Sequence, residues 1–286
     1  MASLKEIKGR IASVKSTLKI TSAMKMVASS KLRKAQGAIA GMLPYQKALE
    51  GILSDLMTGD SAPERFFAPV PEDRPLKVAV VCFSSNSSLC GAFNSNVIRK
   101  TLALLGKHKA DGNEVAAVFP VGKKMTDAII KAGYVPAGDF TALSAKPAYD
   151  GAASLAEELV QGYLDGRFDT VELVYNHFKS TAAQPTVQET FLPMEKLSVS
   201  ESDLDLIIEP SRQEQVELLL PKVLKLKIFT VLLDSVAAEH AARTVAMQIA
   251  TDNADSLLSD LNLEYNKGRQ QKITNEILDL VGGSME

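Results

Sequence analysis

The sequence contains no tryptophan, only two cysteines and no run of 18 or more apolar residues. The last absence predicts that no helix of the chain spans a membrane. The spacing of Cys82 and Cys90 fits neither a CxxC motif nor a zinc site, so we interpret both as buried free thiols of a protein from a reducing compartment. With 46% hydrophobic and 23% charged residues, the composition is that of a folded globular chain.

The motifs that hold nucleotides and metals are missing as well. The stretch Val121–Lys124 (VGKK) is not a phosphate-binding loop, because Ala117 stands where the first glycine belongs. No GxGxxG motif follows a strand, and we interpret Cys90–Ala92 as a tight turn. None of the histidines has a second ligand at a metal-binding spacing: His108, His177 and His240. We therefore predict no catalytic residue, no cofactor and no metal.

Charge is distributed unevenly along the chain, although the net charge is only −2. Residues 1–34 hold nine lysines or arginines and one acid, whereas residues 234–264 hold six acids and one arginine. The two regions are electrostatically complementary, which favours their pairing. Such surface attraction sets the choice of partner more than it adds stability.

The clearest pattern in the sequence is an apolar seam over the first 57 residues. Its sixteen positions alternate steps of three and four, and thirteen of them are apolar. This heptad spacing predicts one helix over residues 1–57, roughly 80 Å long, whose seam faces another helix. The seam positions are Leu4, Ile7, Ile11, Val14, Leu18, Thr21, Lys25, Ala28, Leu32, Ala35, Ile39, Met42, Gln46, Leu49, Leu53 and Leu56.

Two stretches interrupt the pattern. Thr21 and Lys25 place polar side chains where apolar knobs belong, so we expect looser packing between Thr21 and Ala28. Residues 37–44 contain two glycines and Pro44, which weaken a helix and can bend it. The alternative to one long helix is a helix that ends within residues 37–44.

The middle of the chain has a different character. Residues 58–75 contain four prolines and no periodicity, and we interpret them as a linker. Strands and helices then alternate over residues 76–195, which predicts an open, mainly parallel, Rossmann-like sheet covered on both faces. The predicted strands are Leu76–Phe83, Glu114–Val121, Thr170–Phe178 and Thr186–Pro193, the last two forming a hairpin, and the predicted helices are Gly91–His108, Gly122–Ala132 and Tyr149–Leu164.

A second long helical pattern fills residues 211–286. Because proline is tolerated only near the start of a helix, we expect a new helix to begin at Pro221 and to end at Gly282-Gly283. Its apolar stripe is broken at Asn266–Lys272, which has no apolar side chain. The stripe consists of Ile249, Leu257, Leu261 and Tyr265, followed by Ile273, Ile277 and Leu280.

Neither long helix can bury its seam alone, and the two lie at opposite ends of the chain. We therefore predict an α/β fold with a long antiparallel, left-handed coiled coil of N- and C-terminal helices plus a Rossmann-like open sheet domain. The predicted divisions are residues 1–57 for the N-terminal coiled-coil helix, 76–195 for the sheet domain and 211–286 for the C-terminal coiled-coil helix.

Three stretches resemble the gamma subunits of bacterial and mitochondrial-type rotary ATP synthases. They are Ile20–Ala35, Glu239–Asn253 with the following LNLEYNKGRQQKIT, and Ile273–Gly283. The loop Ser85–Gly91 departs from the family's usual Ser-Asp-Lys/Arg-Gly-Leu-Cys-Gly, and Gly282-Gly283 stands where Gly-Ala is usual. The cysteine-bearing insert of the chloroplast form is absent, so thiol regulation is not expected. The match begins almost at Met1, from which we expect a bacterial protein without a presequence.

The resemblance implies a central-stalk rotor subunit that catalyses nothing itself. Such a subunit couples the rotation of a membrane ring, driven by proton flow, to conformational change in catalytic beta subunits. The implied partners are three alpha and three beta subunits, an epsilon subunit and the ring of c subunits, with no nucleic acid. The implied location is the cytoplasmic face of the bacterial inner membrane, reached indirectly through the complex.

Contact residues are also implied by the resemblance. One beta contact is expected along the basic region Thr21–Lys34 and a second at Arg269 and Gln270, with a solvated polar collar as the alternative for the second. The residues implied for the first are Met24, Lys25, Lys31, Arg33 and Lys34, with seam filling as the alternative for the methionine. Contact with the membrane ring or epsilon is implied for Leu206, Ile207 and Ile208, and the alternative is a buried strand edge.

Two other functions remain open from the residues alone. The first is a non-rotary scaffold, a coiled coil that carries an α/β head. The second is an enzyme whose α/β head binds a small molecule.

Overall fold

The computed structural model describes residues 3–57, 64–67, 74–194, 208–209 and 211–283. They form two compact units, a terminal unit of Met1–Ser29 with Arg243–Glu286 and a sheet unit of Ser30–Ala242. The helices are α1 (Leu4–Leu56), α2 (Glu64–Phe67), α3 (Phe93–Ala110), α4 (Lys123–Lys131), α5 (Thr141–Ala145), α6 (Tyr149–Leu164) and α7 (Arg212–Gly283). The strands are β1 (Lys77–Phe83), β2 (Glu114–Val121), β3 (Thr170–Asn176) and β4 (Thr186–Leu192).

The sheet is open and mainly parallel, as predicted. Its strand order is β2-β1-β3-β4, and β1 pairs in parallel with both β2 and β3. The last strand, β4, pairs antiparallel with β3, which confirms the predicted hairpin. Every residue of β1 after Lys77 is buried, as is typical of a strand covered on both faces.

Two apolar layers cover the two faces of this sheet. On one face, Val78 and Val80 of β1 pack against α3 and α4 through side chains such as Leu104 and Met125. On the other face, Phe83 belongs to a larger core that includes residues of α1, α6 and α7, among them Leu53, Leu155 and Leu220. The long helices therefore supply part of the core that stabilises the sheet unit.

Helix α1 runs without a break for 53 residues, so the alternative of an end within residues 37–44 is wrong. Pro44 lies inside the helix and is exposed, as are Gly37 and Gly41. A Cβ added at either glycine would meet nothing within 4 Å. The helix weakeners thus lie opposite the seam, and all sixteen seam positions are buried or half-buried. Packing along the seam holds the helix together where propensity alone would not.

The expected helix start at Pro221 is also wrong. Helix α7 begins at Arg212 and passes through Pro221, which is exposed. The ring and the missing N–H therefore face solvent, where water can satisfy the carbonyl that loses its partner. Buried Leu220 and Val223 on either side hold the two segments to the same core.

Part of the apolar stripe predicted for the C-terminal helix lies on the exposed face of that helix. Ile249 and Leu257 are 55% and 42% exposed, whereas Leu261 is 2% exposed. The steps from Ile249 to Tyr265 are eight, four and four, and at 3.6 residues per turn they drift by about 160° around the helix. The stripe followed apolar residue types rather than the heptad period.

Of the predicted linker, residues 64–67, 74 and 75 are described, and they belong to the sheet unit. Phe67 is buried, and the Phe66 ring lies 6.3 Å from that of Tyr163, while its carbonyl accepts a hydrogen bond from the Met194 amide. This part of the linker is thus packed rather than free. The division of the chain into residues 1–57, 76–195 and 211–286 stays a prediction.

A polar cluster at the start of the sheet gives stability a pH dependence. Arg74 donates two hydrogen bonds to the Asp169 carboxylate, at 2.6 and 2.9 Å, and the Lys77 amide donates a third at 2.8 Å. Burial by itself would raise the pKa of Asp169, but the hydrogen bonds and charges of Arg74 and Lys77 outweigh it and lower that pKa. A carboxyl group whose pKa is lower in the folded than in the unfolded state stabilises the fold at pH values above its unfolded-state pKa. This stabilisation is lost as the pH falls through the folded-state pKa.

We expect the Asp169→Asn variant to lose less stability on acidification than the unsubstituted chain. The difference should develop below about pH 4, the ordinary range of an unfolded aspartate. Urea unfolding midpoints measured between about pH 3 and pH 6 check this, with the exposed carboxylate variant Asp127→Asn as control. Equal acid dependence in all three proteins would contradict the prediction.

Candidate partner-contact surfaces

In the terminal unit the two long helices pair in an antiparallel register. The hydroxyls of Thr21 and Thr251 lie 2.9 Å apart, and a Cβ added at Gly268 would lie 3.1 Å from Leu4 Cδ2. Leu4 precedes Thr21 by 17 residues, and Gly268 follows Thr251 by 17 residues. The register is therefore constant over this length, as antiparallel heptad pairing requires.

The heptad positions of α7 follow from this register and agree with its burial. The steps from Met247 to Gly268 alternate four and three, and every position is buried or half-buried. The positions are Met247, Thr251, Ala254, Leu258, Leu261, Tyr265 and Gly268. The predicted pairing of the N- and C-terminal helices is thus present in the terminal unit.

The predicted polar interruption is present and its hydroxyls are satisfied. Thr21 is buried, and its Oγ1 donates to the Leu18 carbonyl at 3.1 Å. Thr251 Oγ1 lies 2.7 Å from the Met247 carbonyl. Lys25, one turn further along the seam, is half-buried. The helices therefore meet here through hydroxyls and a lysine stem rather than through interlocking apolar side chains.

The residues implied for the first beta contact lie at different depths on α1. Met24 and Lys25 are half-buried in the terminal unit, whereas Lys31, Arg33 and Lys34 are exposed on the part of α1 that belongs to the sheet unit. Among the described residues, none of the lysines and arginines between positions 5 and 34 forms an ion pair. Among the described residues, the charge complementarity between the two ends of the chain therefore does not act through ion pairs of these bases, which stay available to a partner.

Arg269 and Gln270 are exposed and follow directly on Gly268. They lie beyond the first residue of α1, and more than 20 residues of helix separate them from the level of Lys25, about 30 Å. The structure thus gives two separate surfaces rather than one site. The first carries Met24 and Lys25, and the second carries Arg269 and Gln270.

The last part of α7 leaves apolar side chains uncovered. Residues 269–280 are all exposed, and Ile273, Ile277 and Leu280 are 47%, 55% and 75% exposed. About three turns of helix whose apolar side chains are uncovered by any described residue are unusual for a chain that acts alone. This segment is a third surface on which a partner can pack.

The predicted foot is only partly described. Ile208 is half-buried and packs against the larger core of the sheet unit. Leu206 and Ile207 lie outside the described residues. Ile208 belongs to none of the described strands, so the structure does not show the alternative of a buried strand edge there, and a contact with the ring or epsilon stays a prediction.

The edge of the sheet where a Rossmann-like domain binds ligands is filled by its own side chains. Asn86 accepts the Lys123 amide at 2.8 Å, and Ser84 Oγ accepts the Met125 amide at 2.9 Å, so the first turn of α4 is capped. Asn94 accepts the Ser85 amide at 3.1 Å. A phosphate would have to displace these groups to reach the amides. The arrangement disfavours the binding of a phosphate-bearing small molecule at this edge, and the hypothesis of an enzyme whose α/β head binds a small molecule is otherwise untested.

Both cysteines are buried, as predicted. Burial raises the pKa of the Cys82 thiol, which makes it a poor nucleophile. Within the described part of the chain, no three His, Cys, Asp or Glu side chains are grouped so that they could hold a metal ion. Nor does any described helix have the length and apolar character needed to cross a membrane.

Two histidine–carboxylate pairs were not found from the sequence. His108 Nε2 lies 2.9 Å from a Glu172 oxygen, and His177 Nδ1 lies 2.6 Å from an Asp234 oxygen. The partners are 64 and 57 residues apart in the chain, a distance at which no local spacing signals a pair. Both pairs join a helix to β3 or its end, and we assign them to stability rather than to partner contact.

Comparison with known proteins shows to which family the chain belongs. The family model described as ATP synthase matches residues 3–285. The ATP synthase gamma chain of Phocaeicola vulgatus is 53% identical over 290 residues, and that of Bacteroides fragilis 52% over 292, each covering 100% of both chains. The chain belongs to the ATP synthase gamma-chain family. The resemblance carried by the three sequence stretches is thereby confirmed.

The fold agrees with that of chains in solved structures of mitochondrial ATP synthases. One is the cryo-EM structure of the mitochondrial ATP synthase of Euglena gracilis (OSCP/F1/c-ring), matched with a TM-score of 0.64 at 19% identity over 99% of this chain and 93% of the other. Another is the central stalk and c-ring of the Tetrahymena thermophila enzyme, with a TM-score of 0.56 at 22% identity over 81% and 99%. At these identities the likeness concerns the fold alone, and it agrees with two long helices and a mixed α/β domain.

Proposed function

We propose that the chain is the rotating central shaft of an ATP synthase. The observation that carries the proposal is the antiparallel seam of the terminal unit, which keeps one register from Leu4–Gly268 to Thr21–Thr251. Two helices locked in register resist bending and twisting better than one, and a shaft that transmits torque needs that stiffness. The gamma-family relatives, similar over their full length, support the same function.

The chain works with catalytic partners and supplies no reacting group of its own. Three alpha and three beta subunits surround the paired helices, and the asymmetry of the shaft places the three beta sites in different states. An epsilon subunit and a ring of c subunits hold the other end, and proton flow turns the ring. The protein is therefore peripheral, on the cytoplasmic face of a bacterial inner membrane, and reaches the membrane only through the complex.

The unpaired bases of α1 form the first contact with beta. Lys31, Arg33 and Lys34 project into solvent, and Met24 and Lys25 lie at the edge of the seam. Acidic loops of beta are attracted to these bases, and a force between exposed charges is screened by salt over about 8–10 Å. The attraction is strong enough to guide an acidic loop of beta towards the shaft, and it is too short-ranged to hold that loop through a full turn of the shaft.

Arg269 and Gln270 form the second beta contact. An arginine can donate two parallel hydrogen bonds to one carboxylate, which fixes direction as well as distance. The exposed side chains of Ile273, Ile277 and Leu280 then continue along α7 into the space enclosed by the ring of alpha and beta subunits. We place the contact with epsilon or the c ring at Leu206, Ile207 and Ile208.

The other candidate, a non-rotary scaffold, differs in what it does to beta. Mixing the full chain with purified alpha and beta subunits should give a ring with greatly raised ATPase activity if the chain is the shaft. A scaffold would bind without raising turnover. Failure to assemble with alpha and beta subunits that are competent with a gamma chain of the family would reject the shaft.

Within that assembly, Arg269→Ala is expected to lower ATP turnover about fivefold, the equivalent of about 1 kcal/mol in the coupling of shaft and beta. The residue is exposed, so the isolated subunit should keep its unfolding midpoint. The matched control is Arg99→Ala, which removes an exposed arginine from α3 in the sheet unit. Unchanged turnover with Arg269→Ala would count against the contact.

A further inference from the structure

Gly268 is a glycine inside a helix that has a packing reason to be there. Its added Cβ would lie 3.1 Å from Leu4 Cδ2 and 3.9 Å from Leu4 Cγ. The first distance is shorter than the 3.5–4.0 Å at which two carbon atoms attract each other best. Glycine is also the least favourable residue after proline in a helix interior. The position is therefore used to let Leu4 approach the backbone of α7.

The position of Leu4 is also fixed by its own helix, α1. The Ser3 amide donates to Glu6 Oε2 at 2.9 Å, and the Glu6 amide donates to Ser3 Oγ at 3.2 Å. This reciprocal cap fixes the first turn of α1. Ile7, the next seam residue, is 3% exposed. Leu4 is thus an anchored side chain that rests on Gly268.

The contact between Leu4 and Gly268 is the last seam contact among the described residues. Beyond it, residues 269–280 are all exposed. The direction in which the side chains of Arg269 and Gln270 project is therefore set by how closely α7 approaches α1 at Gly268. A change of spacing there moves both side chains together.

We propose that Gly268, with Leu4 resting on it, is a positioning residue for the beta contact of Arg269 and Gln270. The inference rests on the proposed function. Gly268 touches no partner itself and acts through the residues that follow it. Its substitution should affect coupling to beta and leave the affinity of the catalytic sites for ATP unchanged.

The chain should fold when alanine replaces Gly268. A groove of about 740 Å³ lies beside the contact, lined by Leu4 and Gly268 and by Ser3, Lys5, Glu264 and Gln271 among others. The displaced Leu4 side chain can turn into this groove, and alanine improves the helix propensity of α7. The expected result is a folded chain in which Leu4 is displaced and the first turn of α1 exchanges its amide hydrogens about fivefold faster.

The test uses the full chain assembled with alpha and beta subunits. Gly268→Ala is expected to lower ATP turnover about fivefold, with the KM for ATP unchanged. In the Arg269→Ala background the same substitution should lower it no further, because the residue through which it acts is gone. Leu4→Ala added to Gly268→Ala should restore part of the turnover, since the pair then fits again. The matched control is Gly9→Ala on α1, where an added Cβ meets nothing within 4 Å.

Each outcome decides something. If Arg269→Ala lowers turnover and Gly268→Ala does not, the positioning role is rejected and the shaft stands. If Gly268→Ala lowers turnover equally with and without Arg269, it acts by another route and the inference is rejected. If Arg269→Ala is silent, the contact in the proposed function fails, and the positioning role fails with it.

Discussion

Replacing Gly122 by alanine is expected to lower the free energy of unfolding by about 3 kcal/mol or more. Gly122 has φ +105°, a conformation that strains any residue with a Cβ by roughly 1–2 kcal/mol. The added Cβ would also lie 2.2 Å from the Ser84 carbonyl oxygen and 2.8 Å from its carbon. Those atoms are backbone, so β1 or α4 must shift, at a cost of about 1–3 kcal/mol. Urea unfolding of the full chain measures the sum.

Alanine substitutions at two other glycines distinguish the cost of backbone strain from the cost of a steric clash. Gly112 has φ +79° but open space around its added Cβ, so Gly112→Ala should lose only about 1 kcal/mol. Gly106 lies in α3 with open space and ordinary helical geometry, so Gly106→Ala should gain about 1 kcal/mol. From the most to the least stable, the expected order is Gly106→Ala, the unsubstituted chain, Gly112→Ala and Gly122→Ala. If Gly122→Ala were no worse than Gly112→Ala, the close approach to Ser84 would not exist in solution.

The Gly122 prediction also bears on function. The close approach brings Ser84 to the first turn of α4, where its hydroxyl accepts the Met125 amide. Gly122 thereby lets the protein's own Ser84 fill this edge of the sheet with internal hydrogen bonds. That fits a structural head on a shaft.

The long helices and the sheet could be predicted from the sequence because their signals are periodic or local. Sixteen positions at heptad spacing define α1, and all of them are buried or half-buried. The strands agree with their β-branched apolar runs to within two residues. The helix start predicted at Pro221 was wrong because the rule that proline interrupts a helix takes no account of the exposure of that position. Tertiary packing on both sides of Pro221 outweighed the cost of the missing hydrogen bond.

The contact surfaces could be predicted only in part. The bases of α1 and the pair Arg269 and Gln270 are implied as contacts by resemblance and stay predictions, and the structure adds that none of those α1 bases has an ionic partner among the described residues. The close approach of Leu4 to Gly268 was not predicted, since it depends on the register that places Leu4 over it. Contacts between distant parts of the chain carry no local spacing. The same reason hid Asp234, which is 57 residues from His177.

Asp234→Ala is the second substitution expected to have a large effect, a loss of about 2–3 kcal/mol of stability. The side chain of Asp234 on α7 is 15% exposed and accepts the Phe178 amide at 2.9 Å and His177 Nδ1 at 2.6 Å. Alanine leaves that backbone amide without an acceptor in a partly buried place, which costs about 1–3 kcal/mol. The contribution of the ion pair itself is small because His177 is nearly half-exposed.

Asparagine distinguishes the two parts of this loss. Asp234→Asn keeps an oxygen for the Phe178 amide and removes the charge that faces His177, so it should lose about 1 kcal/mol or less. The surface control is Asp252→Ala, an exposed carboxylate on the same helix whose acceptor contact among the described residues is with Gln248 alone. Amide hydrogen exchange at Phe178 should rise with Asp234→Ala far more than with Asp234→Asn. Equal loss in the two variants would assign the effect to charge, and the end of β3 would then be held to α7 by the histidine rather than by its backbone.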